Sequence, residues 1–310
     1  MKIRKHGMNS QTSSATVKNN FEDAIRDPRL FQKKFSIRYF LATRLLSRRV
    51  RKDVEYLYAF VRIPDEIIDT EYKDNLVDGL KALDLFEQEW KDVYFGISKK
   101  NKFLLICRNV FKKYNIPFDY SLDFMKAMKQ DGIIKSYETY SLLEGYMHGS
   151  AGVIGYMLSY IFGFKDKALA NARSLAFAMQ MTNFLRDIKE DYDLRGRIYL
   201  PIQDMNKYGV TSESIKLKKI TPSLISLIKY EIVKTRKLYE EGYSGIVLLS
   251  PDTRLAVFVS GRMYERVLDR IERFGHNPFL WKSENNFMKI LYLFIALFEY
   301  YYRYKYKKLK

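Results

Sequence analysis

Residues 183–200, NFLRDIKEDYDLRGRIYL, alternate carboxylates with arginines and close on an aromatic, apolar end. On an α-helix turning about 100° per residue, Asp187 and Asp191 stand one above the other, and Asn183 shares their face. Gln180, seven residues before Asp187, completes a polar stripe about 80° wide. The preceding SLAFAMQMT is apolar, so the stripe emerges from a helix that is otherwise buried. Acids four apart are ordinarily a solvated helix face, with Arg186 and Lys189 as neighbours. This segment alone therefore does not establish a site.

A second segment changes the balance. In DVEYLYAFVRIPDEIIDT, residues 53–70, Tyr58, Arg62, Asp65 and Asp69 are spaced four, three and four apart. They fall within about 60° of one helix face. Leu57, Ala59, Phe60, Val61, Ile67 and Ile68 occupy the other sides, which is the pattern of a buried helix carrying one charged stripe. Buried carboxylates need cations. Two such helices facing each other put four aspartates around one cavity. A cluster of carboxylates without His or Cys suits Mg²⁺, with Mn²⁺ as a substitute, and Mg²⁺ commonly bridges to phosphates. Arg62 and Arg186 offer planar donor forks to the phosphate oxygens. The combination describes a diphosphate site in apolar surroundings.

The 310 residues suffice for one large domain or two small ones, and no linker is evident. Gly at 15 and Pro at 7 are scarce against the roughly 22 and 15 of average usage, so elements should be long and loops few. Helical periodicity recurs in SYETYSLLEGYMHGSAGVIGYMLSYIFG, where Gly149, Ala151, Gly152 and Gly155 permit close approach of a partner helix or ligand. It recurs again in TRLAVFVSGRMYERVLDRIERFG. Strand signals are weak, RIYLP being the best of them, so the fold class expected is all-α. Pro64 predicts a kink just before Asp65.

Residues 1–20 are polar, lack the apolar core of a signal peptide and read as a disordered basic tail, which leaves residues 21–310 as a single domain. One cysteine, Cys107, excludes an intrachain disulfide and fits a cytoplasmic location. Three scattered histidines argue against zinc. The net charge of +18 calls for a partner, but no nucleic-acid recognition module accompanies it. Residues 287–310, FMKILYLFIALFEYYYRYKYKKLK, run from apolar to aromatic to basic. Their uninterrupted apolar part is far below the roughly 20 residues that span a bilayer. Two readings fit this stretch equally: an interfacial helix reaching anionic lipid on the inner face of a membrane, and a core helix with a basic tail.

YAFVRIPDEIIDT and QMTNFLRDIKEDYDLRGRIYLP resemble the two aspartate-rich signatures of the squalene and phytoene synthase family, the head-to-head isoprenoid synthases. SIRYFLATRLL, YMHGSAGVIGYML and MYERVLDRIE resemble further segments of that family, in the same order, from about Phe35 to Ile271. The resemblance implies an isoprenoid synthase fold, a helical bundle around a central cavity. It implies that Asp65, Asp69, Asp187 and Asp191 hold Mg²⁺, and that Tyr58, Arg62, Arg186 and Tyr264 serve catalysis near the departing diphosphate. Ser36, Arg38, Tyr39, Gln180 and Asn183 are then substrate-binding residues. The reaction implied joins two prenyl diphosphates at their C1 ends through a cyclopropylmethyl diphosphate.

The wording FVRIPDEIID and HGSAGVIG is similar to phytoene synthases of some bacteria and archaea, which implies geranylgeranyl diphosphate as substrate and no need of NADPH. The partners implied are prenyl diphosphates, a membrane surface and downstream carotenoid or isoprenoid enzymes, not nucleic acid. Three positions depart from the family pattern. Ser36-Ile37-Arg38-Tyr39 lacks a phosphate-facing lysine, with Arg38 as its replacement. His148 stands where an aromatic or small polar residue is usual and reads as a packing residue. Lys282 takes the place of an expected arginine. The alternatives are a squalene or dehydrosqualene synthase using farnesyl diphosphate, and a non-catalytic helical protein of the membrane surface.

Overall fold

Short polar side chains mark where this chain enters its helices. Asp27 accepts the Leu30 N–H ahead of α1 (Pro28–Phe35), with Pro28 in the first turn, where its missing N–H costs nothing. Ser36 caps α2 (Ile37–Thr43) in the same way, accepting the Tyr39 N–H at 3.4 Å. The computed structural model describes residues 20–71, 75–164, 168–280 and 285–306. The polar tail expected over residues 1–20 lies outside these apart from Asn20, and so does Lys282.

The first charged stripe rides on α3 (Arg48–Glu66), whose other sides bury Val54, Leu57, Ala59, Phe60 and Ile63. They pack on α4 (Leu76–Tyr94), α5 (Lys102–Tyr114) and α6 (Phe118–Ile133). Trp90 is the centre of that core. Its ring lies 4.8 Å from Phe60 and 5.2 Å from Phe111, and its buried N–H is satisfied by Ser121 Oγ at 2.8 Å. Each such fully buried side chain contributes about 1.5–3 kcal/mol.

Pro64 does not break α3. The α-helix continues past it to Glu66, and the departure from regular geometry expected just before Asp65 comes after it, as a π turn over Ile67–Glu71 that carries Asp69. A proline deprives one carbonyl of its N–H partner, and a wider turn is one way a helix absorbs the mismatch without stopping. A second π turn, His148–Gly152, joins α7 (Tyr140–Met147) to α8 (Val153–Phe162). The glycines read as close-approach points serve as such. A Cβ at Gly155 would stand 2.9 Å from the Ala172 carbonyl oxygen of the next long helix. His148 is not packed in the core: its side chain is 45% exposed and faces Asp123 at 3.8 Å.

The second stripe belongs to α9 (Ala168–Arg195), which with α12 (Pro222–Ser244) and α13 (Pro251–Arg273) forms another core around Leu185, Ile188, Leu227, Ile228, Val267 and Leu268. Two short helices, α10 (Ile202–Lys207) and α11 (Ser212–Lys216), lie between α9 and α12. The last helix, α14 (Asn286–Tyr301), rests on α2 and α13 through Ala42, Val259, Met263 and Ala296. Among the described residues the chain forms no strand. RIYLP contributes one parallel bridge, Ser136 to Ile198, which ties the end of α9 to the end of α6.

Candidate active site

Helices α2, α3, α8, α9 and α13 enclose a cavity whose wall, among the described residues, contains no charged side chain. Tyr39, Tyr58, Tyr264, Gln180 and Asn183 are among its polar members. Leu57, Val61, Ile154, Leu158, Phe162 and Met179 are among its apolar ones. Tyr39 and Tyr58 stack with centroids 5.5 Å apart. Burial drives both phenols far above their ordinary range, so they are neutral donors at any physiological pH.

The four aspartates picked out by helical phase lie beside this cavity, each paired with arginine. Arg62 holds Asp65 and also Glu66. Arg186 clasps its neighbour Asp187 in a two-pronged contact, Nε to Oδ1 at 2.7 Å. Arg195 bridges the motifs, 3.2 Å from Asp69 Oδ1 and 3.4 Å from Asp191 Oδ1. Arg197 lies deeper, 4% exposed, and donates to Asp69 and to Asp131 of α6 at 2.9 Å each. Tyr199 donates to the other Asp131 oxygen at 2.5 Å, and its ring stacks on Phe184 at 4.0 Å.

Local backbone chemistry puts Arg197 there. Gly196 ends α9 at φ +64°, a left-handed conformation natural to glycine, with its N–H on the Tyr192 carbonyl. The Arg197 N–H returns to the Asp191 carbonyl at 3.0 Å, which folds the chain back under the acidic stripe.

The arginines do not fully offset the acids. Burial, opposed by Arg62 and reinforced by Asp69, Asp131 and Glu66, pushes the Asp65 carboxyl up to about 7. Burial and then Asp187 push Asp191 up to about 8, against Arg195. The buried Oδ1 of Asn183, one helical turn before Asp187, has no hydrogen-bond partner. Hard oxygen donors with surplus negative charge, next to an orphaned amide oxygen, are the donor chemistry of a hard divalent cation. Among the described residues no three acids stand close enough to form a ready-made cation cage; arginines keep them apart.

Helical phase brought together Tyr58, Arg62, Asp65, Gln180, Asn183, Asp187 and Asp191, and Arg186, expected at the phosphates, reaches the same site through Asp187. Asp69 faces the same site from a π turn rather than from the α-helical face expected of it. Tyr39 and Tyr264 line the cavity, while Ser36 and Arg38 are absent from its wall. Ser36 spends its hydroxyl on capping α2. The sequence reading missed Glu66, Asp131, Arg195, Arg197 and Tyr199. RGRIYLP directly after the acidic stripe was the available signal for two arginines and a tyrosine. Nothing in the sequence singled out Asp131.

A family model described as squalene/phytoene synthase matches residues 32–286. The phytoene synthase of Arthrospira platensis is 28% identical over 257 residues, covering 78% of this chain and 81% of that protein. The chloroplastic phytoene synthase of Narcissus pseudonarcissus is 28% identical over 248 residues, and the match spans 58% of its length. A solved dehydrosqualene synthase with bound ligand superimposes with a TM-score of 0.81 at 27% identity, covering 94% of this chain and 100% of that one. A squalene synthase from Alicyclobacillus acidocaldarius gives a TM-score of 0.74 at 25% identity, over 87% of this chain and 100% of that one.

Proposed function

Because the chain belongs to the squalene/phytoene synthase family, with the fold of its solved members, we propose that it joins two prenyl diphosphates head to head, C1 to C1′. The observation that carries this reading is the junction of unlike surroundings: four aspartates and four arginines from two helices and their ends, beside an uncharged cavity. One part suits a diphosphate and the other a hydrocarbon tail.

Asp65, Asp69, Asp187 and Asp191, with the Asn183 amide oxygen, would hold Mg²⁺, for which Mn²⁺ substitutes. When bound, the ion neutralises diphosphate charge and so favours loss of the leaving group. The protein's own groups do the rest. Arg62 and Arg186, released from Asp65 and Asp187, turn their forks to phosphate oxygens. Tyr58 and Tyr264 present hydroxyls at the cavity's polar end. The apolar wall excludes water from an allylic cation that water would quench to an alcohol. The double bond of the second prenyl chain attacks C1 to give a tertiary cation, and loss of a proton from that chain's own C1 to the departed diphosphate closes the ring of a cyclopropylmethyl diphosphate; ionisation of this second diphosphate, rearrangement and a second proton loss yield the linear hydrocarbon.

The preferred substrate in this reading is geranylgeranyl diphosphate, giving phytoene without NADPH. Its support is the wording of the acidic motifs and the phytoene synthases among the relatives. The solved neighbours that act as dehydrosqualene and squalene synthases favour a second reading, with farnesyl diphosphate. Incubating the purified protein with Mg²⁺ and either diphosphate, with and without NADPH, separates the two by mass spectrometry. A C40 hydrocarbon without NADPH supports phytoene synthesis. A C30 product moves the assignment to the second reading, and no hydrocarbon from any mixture refutes head-to-head synthesis. Asp65→Asn and Asp187→Asn should each abolish turnover while leaving the helical circular dichroism unchanged. Activity surviving both would overturn the ligand assignment.

A further inference from the structure

Helix α14 keeps an apolar side turned to solvent. Phe287, Ile290, Leu291, Phe294, Phe298 and Tyr301 recur at three- and four-residue spacing, within about 100° of arc. Phe287, Phe294 and Phe298 are 71, 62 and 73% exposed. The other side is fully engaged. Ala296 packs against Ala42, Val259 and Met263, and Glu299 is held by Arg262, Nε to Oε2 at 2.6 Å, and by Arg266. A continuous outward stripe of large apolar residues marks an interaction surface.

The charge around it has one sign. Between Asn286 and Lys310 the single acid is Glu299, already paired inward, whereas Lys289, Arg303, Lys305, Lys307, Lys308 and Lys310 are cationic. Tyr301 and Tyr302 stand exposed between the apolar residues and the terminal lysines, whereas Tyr300 and Tyr304 turn inward onto Phe258. A helix of 16 residues cannot cross a bilayer, and no helix among the described residues is long and apolar enough to do so. We propose that α14 is an interfacial helix that lays its outward stripe into an anionic lipid bilayer, with Tyr301 and Tyr302 at headgroup depth and the basic tail on the lipid phosphates. A second copy of the chain fits less well as the occupant, since it would bring one +18 protein and its basic tail against another.

Docking in this way acts on the cavity, because the helices beneath α14 form part of its wall: α2 supplies Tyr39, Ala42 and Thr43, and α13 supplies Ala256, Val257, Ser260 and Tyr264. That wall comes within one helix packing distance, about 10 Å, of the lipid. The inference is independent of which prenyl chain the cavity takes.

The test is sedimentation of the full chain with vesicles of phosphatidylcholine alone and of phosphatidylcholine mixed with phosphatidylglycerol. The expected result is binding to the mixed vesicles, weaker binding to the neutral ones, and release by high salt. Phe294→Ser and Phe298→Ser each lower binding by about tenfold, as loss of one ring's transfer to hydrocarbon requires. Both keep the wild-type melting temperature, because the rings touch solvent. Lys307→Glu with Lys308→Glu weakens binding to the anionic vesicles alone. The proposal is overturned if the wild type does not sediment with anionic vesicles, if the serine variants bind as tightly as wild type, or if lipid-free ultracentrifugation shows a dimer that Phe294→Ser dissociates.

Discussion

Replacing Arg197 by Met tests the claim that one buried cation joins the two acidic motifs. Arg197 makes charge-assisted bonds at 2.9 Å to Asp69 and Asp131, and each such bond is worth about 1.5–3 kcal/mol. The two do not count equally. The Asp69 side chain is 20% exposed and retains Arg195 at 3.2 Å, whereas Asp131 is 8% exposed and keeps only uncharged partners, the hydroxyls of Tyr199 and Tyr146. The loss therefore falls mainly on Asp131. Protonating that carboxyl from the ordinary 3.8 of an unfolded chain sets a ceiling of about 4 kcal/mol at pH 7, and burial already holds Asp131 above that value with Arg197 in place, so part of the ceiling is present in the wild type. Arg197→Met should cost about 2–3 kcal/mol in urea unfolding. Adding Asp131→Asn should return at least about half of this, because the stranded charge is gone. A loss under about 1 kcal/mol, or a double variant no more stable than the single one, would refute the reasoning.

Gly155→Val drives a branched side chain against the Ala172 backbone, where even a Cβ stands 2.9 Å from the carbonyl oxygen, and should cost about 1–3 kcal/mol while lowering turnover by moving the cavity wall. Thermal melting and product yield check the two effects together. Glu231, fully buried on α12, has its carboxyl pushed up to about 7 by burial, against the pull of Lys234. The native state then binds more protons than the unfolded chain between about 4.5 and 7, so the group's contribution to stability falls as pH rises through that window. Unfolding of Glu231→Gln from pH 4.5 to pH 8 should show a shallower decline, with a gain of up to about 3 kcal/mol over wild type at the alkaline end. Turnover should vanish with a chelator and return with Mg²⁺ or Mn²⁺; activity unchanged by chelation would remove the cation from the mechanism.

Phase along single helices was enough to collect Tyr58, Arg62 and Asp65 on one side and Gln180, Asn183, Asp187 and Asp191 on the other, because α3 and α9 are regular over those residues. Ser36 could not be told apart in the same way: a hydroxyl just before a helix reads alike as a phosphate contact and as a cap, and it caps. Arg197 and Asp131 are 66 residues apart, and no periodicity spans that distance. Their meeting depends on the Ser136 to Ile198 bridge and the Gly196 turn, which are tertiary facts. The C-terminal helix was balanced between core and interface for a similar reason. A 16-residue helix apolar on most sides can bury any of them, and the choice was made by Ala296 fitting beside Ala42 and by Glu299 reaching Arg262.

The π turn at Ile67–Glu71 can be regarded as an insertion, an α-helix with one residue too many for its turn. Seen so, the aim of Asp69 depends on a count. Tightening the turn to regular helix with every residue kept would carry the chain beyond it up to about 100° around the axis and swing Asp69 away from Arg195 and Arg197. Every amino acid named in the site would still be present. Losing the extra residue instead leaves the chain beyond the turn in its present phase, so a one-residue deletion here should disturb the first motif less than a one-residue insertion, which has no turn left to absorb it.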